Sequence, residues 1–471
     1  MISFLERVFD ARRMVNDDAK LGDFPTSKEA YGNLARIALP SVIEMVLISL
    51  IGSADSVMVG SLGPASLAAV GLTDQPRMLL MSIFFALNIG VTAIVARRKG
   101  QGDRADANRT LRNALVILTG LGLIMGVIGS AFARQFMGLA GAMPDTIELS
   151  TTYFRIVAAA VPVNALTMCI SAAQRGTGNT RITLAVNLTA NIVNIILNYV
   201  LIYGKFGFPR LGVEGAAIAT VIGFVVGLAL ALYSIAPHRK RDGFLMVRLH
   251  DDWRLRKDTV RALAKIGGNS MLEQVALRIG FMMYAVIVAR LGTLEFAAHQ
   301  ACLKFLNLTF TFGDGIGVAG TALVGQMLGQ HRPDLSLMYG KISQRIAMCV
   351  SLTLFGFLIG FRRPLVGLFS DDPAVLALAA NVMFVCAMIQ PFQTTSVVIS
   401  GCLRGAGDTR YVAVIMYICV MGIRPILSYT AVYLLHAGLI GAWLSTLIDM
   451  AVRMTLVYRR FASGKWFGIK V

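Results

Sequence analysis

The sequence predicts an all-α integral membrane protein, with twelve transmembrane helices in two six-helix lobes related by a parallel internal repeat. Three observations predict it. Of 471 residues, 56% are hydrophobic and only 15% are charged, with a mean hydropathy of +0.67; a soluble chain carries about a quarter charged residues. The 44 Lys and Arg outnumber the 26 Asp and Glu, and most fall in alternate connections between apolar runs. Finally, a shift of 229 positions lays the chain on itself without a gap from Ile37 to Arg181.

A helix crosses the hydrocarbon core with about 20 apolar residues. Runs of that kind, such as "IALPSVIEMVLISLIG" and "AIATVIGFVVGLALALYSIA", recur near 35–58, 67–96, 110–133, 151–173, 182–203 and 212–236. A second set lies near 262–289, 295–325, 342–361, 375–401, 411–434 and 439–459. The expected organisation is an N-terminal arm over 1–32, an N-lobe over 33–236, a linker over 237–261, a C-lobe over 262–460 and a tail over 461–471.

The net charge of +18 is explained by where it lies. The connection "RRKGQGDRADANRTLR" and the linker from "HRKR" to Lys265 are basic, whereas "GSLGPAS" and "LHAG" on the other side carry no Lys or Arg. This is the positive-inside pattern, which puts both termini in the cytoplasm of a cell-membrane protein. The charge faces anionic lipid, and no nucleic-acid partner is expected. In the arm, Ile2, Leu5, Val8 and Phe9 suit either a short helix on the inner leaflet or a solvated segment. The six cysteines lie in or at apolar spans without metal-ligand spacing and read as small core residues. No phosphate-binding GxxxxGK[ST] loop occurs, so any pumping must draw on an ion gradient. No cluster of His, Asp or Ser has catalytic spacing, so an enzyme is not expected.

The repeat brings specific residues into register. Glu44 falls on Glu273, Thr92-Ala93 on Thr321-Ala322, and Pro162 on Pro391. "QRGTGNTR" at Gln174–Arg181 falls on "LRGAGDTR" at Leu403–Arg410. Six spans per half is an even number, so the halves are parallel repeats about an axis along the membrane normal. Two such bundles suit alternating access. "QRGTGNTR" lacks the third glycine of a dinucleotide loop and follows a membrane helix. It reads as a turn, with Gly176, Gly178, Gly405 and Gly407 allowing the bend and Arg175, Arg181, Arg404 and Arg410 holding it at lipid phosphates. Pro162 and Pro391 are hinge candidates, because proline removes a backbone donor and invites a kink.

Ionisable groups within spans are costly in lipid and are functional candidates by default. Glu44 and Asp55 share one face of the first span, since eleven residues leave them about 20° apart in azimuth. Asn187, Asn191, Asn194 and Asn198 form one stripe on the fifth span at steps of 4, 3 and 4. Their oxygens suit Na⁺, and their amides equally suit helix–helix bonding. Their register mates Met416, Val420, Ile423 and Leu427 are apolar, so the stripe belongs to one lobe. Glu44 and Glu273 form a matched pair across the pseudo-twofold, serving either ion coupling or the joining of helices. Arg278 lies near Glu273 in sequence but at an awkward azimuth. Asp74 and Arg77, around Pro76, and Asp314, in "FGDGIGVAG", are cavity-lining candidates, as are Asn187, Asn191 and Arg278. Asp449 and Arg453, spaced i, i+4, are expected to satisfy each other.

"IALPSVIEMVLISLIGSADSVMVGSLGPASLAAVG", "ALVGQMLGQHR", "QRGTGNTR" and "LRGAGDTR" together resemble the multidrug and toxic compound extrusion (MATE) family, over about 33–460 and in family order. The resemblance implies a Na⁺- or H⁺-coupled antiporter exporting bulky organic cations, with two six-helix lobes around a V-shaped cavity. It implies an ion site in which Asp55 cooperates with Asn194 and Asn198, although the last position is acidic in the family. It also implies a C-lobe acid at Glu273, one turn closer to the cytoplasm than in other members and without their partner Asp in the tenth span. Apart from the coupling H⁺ or Na⁺, no cofactor or metal is expected. The expected partners are small organic substrates and membrane lipids, with the chain a monomer. The alternative is a flippase or exporter of a lipid-linked or anionic metabolite, which Arg77, Arg278 and Arg424 would serve.

Overall fold

The computed structural model describes residues 9–237, 243–248, 250–368 and 372–469. Among them there is no strand, and eleven helices are long and apolar enough to cross a membrane, or twelve when one bent pair counts as a single span. In chain order these are α1 (Ser27–Gly60), α2 (Pro64–Gln101), α3 (Arg104–Ala131), α4 (Ile147–Ala159 and Val161–Gly176), α5 (Thr180–Tyr203) and α6 (Gly212–Ile235). The second set is α7 (Lys257–Ala289), α8 (Thr293–Gly329), α9 (Pro333–Gly360), α10 (Pro373–Gly405), α11 (Thr409–Leu434) and α12 (Gly438–Ala462). All twelve expected spans are present. Large apolar side chains such as Val57, Val127, Leu272 and Ile426 remain exposed along them, as a hydrocarbon solvent allows.

The chain forms two compact units, Ile43–Gly267 (the N unit) and Met1–Val42 with Gly268–Val471 (the C unit). Their boundaries fall inside α1 and α7, whereas the sequence places the lobe boundary in the 237–261 linker. The reason is packing at the first turns of those helices. Leu34, Ile37 and Ala38 of α1 share a core cluster with Met338, Tyr339 and Ile342 of α9. At the start of α7, Ile266 and Gly267 pack on Gly90 and Leu87 of α2.

Both segments preceding those helices are fastened down. The N-terminal arm does not float: Ala11, Met14 and Val15 are buried on α9, Lys341 Nζ donates to the Met14 carbonyl at 2.7 Å, and the Leu21 N–H donates to Asp334 at 3.0 Å. Phe9 packs on Tyr31, while Ile2, Leu5 and Val8 lie outside the described residues. In the N unit the linker binds α3 likewise. Met246 N–H donates to Asn108 at 2.8 Å, and Arg112 pairs with Asp251 at 2.9 Å.

The two proline positions differ. α4 bends by 50° between Ala159 and Val161, with Pro162 in the first turn of its second half. α10 runs unbroken through Pro391. The helix is therefore broken near its proline in one half only. The second asymmetry is in α11, which contains π-helical turns over Tyr417–Ile423 and Thr430–Leu434, where its repeat α5 is regular α-helix. Pro425, which has no N–H, sits between those two widened turns.

The repeated "RG" is a packing device. Gly176 is the last residue of α4, and a Cβ there would lie 2.7 Å from the Thr92 carbonyl of α2; Gly405 presses on the Thr321 carbonyl in the same way. Each threonine returns the contact, Thr92 Oγ1 donating to Ala172 O at 3.0 Å and Thr321 Oγ1 to Gly401 O at 2.8 Å. The turn itself belongs to the later glycines, Gly178 (φ 82°) and Gly407 (φ 89°), whose left-handed backbone favours glycine. Gly176→Ala is expected to cost about 1–3 kcal/mol by overpacking, read as a lower unfolding temperature in detergent; an unchanged temperature would mean that α2 and α4 separate freely.

Candidate functional site

The N unit contains two polar clusters on the α1–α5 seam. The first is built on Glu44, whose side chain is 1% exposed. Its carboxylate accepts from Asn187 Nδ2 at 2.6 Å, Thr183 Oγ1 at 2.8 Å and Arg175 Nη1 at 3.4 Å. Arg175 therefore does not point to headgroups; from the end of α4 it reaches back to an intramembrane acid. Thr183 is not among the residues that the asparagine pattern marks, although it stands one turn before Asn187 on the same stripe. The cluster is saturated and joins α1, α4 and α5. Glu44→Leu strands three donors and is expected to cost about 1–3 kcal/mol of stability, measurable as a lowered unfolding midpoint; an unshifted midpoint would remove the cluster from the list of supports.

The second cluster is at Asp55, about three turns further along α1. Asn198 Nδ2 donates to Asp55 Oδ1 at 2.8 Å. With its amide oriented to satisfy both polar atoms, Asn194 donates to the two Asp55 oxygens at 3.1 and 3.0 Å and accepts from the Thr220 N–H of α6 at 3.1 Å. Asn198 Oδ1 is buried with no hydrogen-bond partner among the described residues. Asp55 is half-buried, and no Lys or Arg among the described residues lies within ion-pairing distance. The asparagine stripe is thus divided. Asn187 serves Glu44, Asn194 and Asn198 serve Asp55, and Asn191 donates to its own helix at Asn187 O, 2.7 Å. Asp74 pairs with Arg77 at 2.8 Å at the start of the longer part of α2.

In the C unit, Glu273 is fully buried and pairs with Arg404 Nη2 at 2.6 Å. Arg404 takes the place expected of Arg278, just as Arg175 does for Glu44. Thr183 and Asn187 are replaced at their register positions by Val412 and Met416, so Glu273 Oε2 has no hydrogen-bond partner among the described residues. Asp314 of α8 lies within electrostatic reach of both Glu273 and Arg404; its register mate is Phe85. The C unit thus pairs Glu273 with Arg404 and places a second carboxylate in the same electrostatic neighbourhood.

Near the middle of α12, Asp449 Oδ2 accepts from Arg453 Nη2 at 2.6 Å, as the i, i+4 spacing predicts. It also accepts from Arg424 of α11, Nη2 at 2.6 Å and Nε at 3.0 Å. The Arg424 guanidinium lies 5.1 Å from the Phe281 ring centroid, a cation–π distance. Among the described residues no group of His, Cys, Asp and Glu is arranged to hold a metal, and all six cysteines are free thiols.

Comparisons with known proteins agree with this architecture. The MatE family model matches the chain twice, over residues 40–200 and 270–430. A probable multidrug resistance protein NorM of Thermotoga maritima is 28% identical over 443 residues, covering 93% of each chain. The multidrug resistance protein PmpM of Pseudomonas aeruginosa is 28% identical, covering 91% of this chain and 92% of its own. Among solved structures, a multidrug resistance MATE family transporter of the MOP superfamily in an outward-facing conformation superposes with a TM-score of 0.86 at 21% identity, covering 93% of this chain and 97% of that one. One family model recognising each half once is what the internal duplication requires, and the chain belongs to the MatE family of multidrug efflux (MATE) transporters.

Proposed function

We propose that the chain is a secondary antiporter that exports organic, cationic and amphiphilic compounds in exchange for H⁺ or Na⁺, by alternating access, with both termini in the cytoplasm. The observation that carries this reading is the setting of Asp55. Glu44, Glu273 and Asp449 each form an ion pair with an arginine. Asp55 is hydrogen-bonded by the neutral amides of Asn194 and Asn198, and no Lys or Arg among the described residues forms an ion pair with it. Such a carboxylate gains or loses a proton, or accepts a Na⁺, without first breaking an ion pair. The unpartnered Asn198 Oδ1 supplies a second oxygen beside it, of the kind hard cations take. Glu273, paired with Arg404, and the nearby Asp314 make a second candidate in the C unit.

An anionic cargo finds less support. Arg77 is paired with Asp74 and Arg424 with Asp449, so neither offers an uncommitted charge. The deciding experiment reconstitutes the chain in liposomes, imposes a H⁺ or a Na⁺ gradient separately, and follows a fluorescent organic cation. Export driven by one gradient and dissipated by its ionophore is expected. Absence of a response to either would overturn the antiport proposal.

A further inference from the structure

We infer that the N unit carries a binding site for an anionic phosphate group, separate from the ion-exchange cluster and made by the α4–α5 turn. The turn "QRGTGNTR" closes one wall of a cavity of about 520 Å³. Lys99 at the end of α2, Gln174, Thr177, Asn179 and Arg181 of the turn, Tyr233 at the end of α6 and residues 243–246 line it. Among the described lining residues there are two cations and no carboxylate. Arg181 is exposed and makes no ion pair with any described residue. Lys99 Nζ is held 4.1 Å from the Phe244 ring centroid, which orients the ammonium without neutralising it.

The repeat provides an internal control for this cavity. In the C unit the register mates of Lys99, Gln174 and Thr177 are Leu328, Leu403 and Ala406, which form one apolar cluster with Trp466 of the tail. Trp466 is fully buried and stacks on Phe461 at 4.9 Å, its Nε1–H donating to the Phe461 carbonyl at 2.7 Å. The mate of Asn179 is Asp408, which is neutralised by Arg460 at 2.7 Å. The same cradle is therefore built twice. In one half it is apolar and filled by the chain's own indole; in the other it is polar, cationic and open.

An open cradle with two cations that no described carboxylate compensates selects an anion over an apolar or cationic ligand. Arg181 suits two oxygens of a phosphate at once, and Lys99 adds a point charge. The Asn179 side chain makes no capping hydrogen bond to α5 and is available to the same ligand. The headgroup of an anionic phospholipid and a soluble phosphate ester share this chemistry. The inference rests on the fold and the repeat, and holds whether or not the chain is an antiporter.

The test uses the full chain in detergent, with phosphatidylglycerol, phosphatidylcholine and glycerol 1-phosphate as probes. Native mass spectrometry is expected to show phosphatidylglycerol retained in preference to phosphatidylcholine. Lys99→Leu/Arg181→Gln is expected to lose about twenty-five-fold in that affinity, roughly fivefold per cation. Arg181→Gln alone alters an exposed side chain and keeps the test independent of folding; it should lose about fivefold, whereas Arg410→Gln in the filled cradle should lose nothing. Displacement of the lipid by glycerol 1-phosphate would identify a soluble ester as the ligand, and its failure a lipid headgroup. Equal retention of both lipids without an effect of glycerol 1-phosphate, or affinity unchanged in both N-unit variants, would overturn the inference.

Discussion

Replacing Asp55 with Asn is expected to reduce ion-driven export to the level of protein-free liposomes while the chain still folds. The substitution is nearly isosteric, and Asp55 is half-buried, so the stability cost should stay within about 1.5 kcal/mol, the scale of one hydrogen bond. What disappears is the exchangeable charge. An amide cannot take up a proton near neutral pH or attract Na⁺ as a carboxylate does, and the Asn194 and Asn198 amides that surround the position have no charge to substitute. Solvent-to-solvent counterflow of cargo, which needs no net coupling, separates loss of coupling from loss of the pathway. Retained gradient-driven export in Asp55→Asn would move the coupling ion to Glu273 and Asp314. Asn198→Asp is the complementary variant. A second carboxylate within reach of Asp55 should strengthen Na⁺ dependence, seen as a lower Na⁺ concentration for half-maximal transport.

The largest loss of stability is expected at Asp449. Its carboxylate holds Arg424 and Arg453, and all three side chains are at most 5% exposed. Removing one partner of a buried pair costs about 3–5 kcal/mol, because the remaining charge stays desolvated; Asp449→Leu leaves two such charges. Detergent-solubilised Asp449→Leu should unfold at a clearly lower temperature or fail to accumulate. The combined variant Arg424→Met/Asp449→Leu/Arg453→Met should recover most of that loss, since an apolar triad of similar volume removes the desolvation penalty along with the attraction. If the single variant is as stable as the parent, the triad is hydrated and contributes little. If the triple variant is no better than the single one, the arginines hold α11 to α12 by packing and not by charge.

The ion pairs show how far the sequence can be read. Glu44 and Arg175 are 131 residues apart, and so are Glu273 and Arg404. Both members of each pair are visible in the register, and their shared spacing is a signal that they meet. Their meeting nevertheless depends on how far the end of α4 or α10 reaches back toward α1 or α7, which hydropathy does not encode. Arg424 was visible as an intramembrane charge, but its partner lies on the neighbouring helix, where an i, i+4 rule finds only Arg453.

By itself the sequence determined the twelve spans, the duplication, which connections carry the basic residues and the stripe of amides on α5. Each of these depends on a one-dimensional property: run length against bilayer thickness, a fixed offset, charge by segment, or the helical period. The tertiary structure decided which carboxylates meet an arginine and which meets only amides, that the "RG" glycines serve helix contact, that α4 is broken where α10 is continuous, and that one cradle is open while its copy is filled. Those outcomes depend on the rotation and depth of one helix against another, and two repeats with the same pattern reach different answers once a few facing side chains differ.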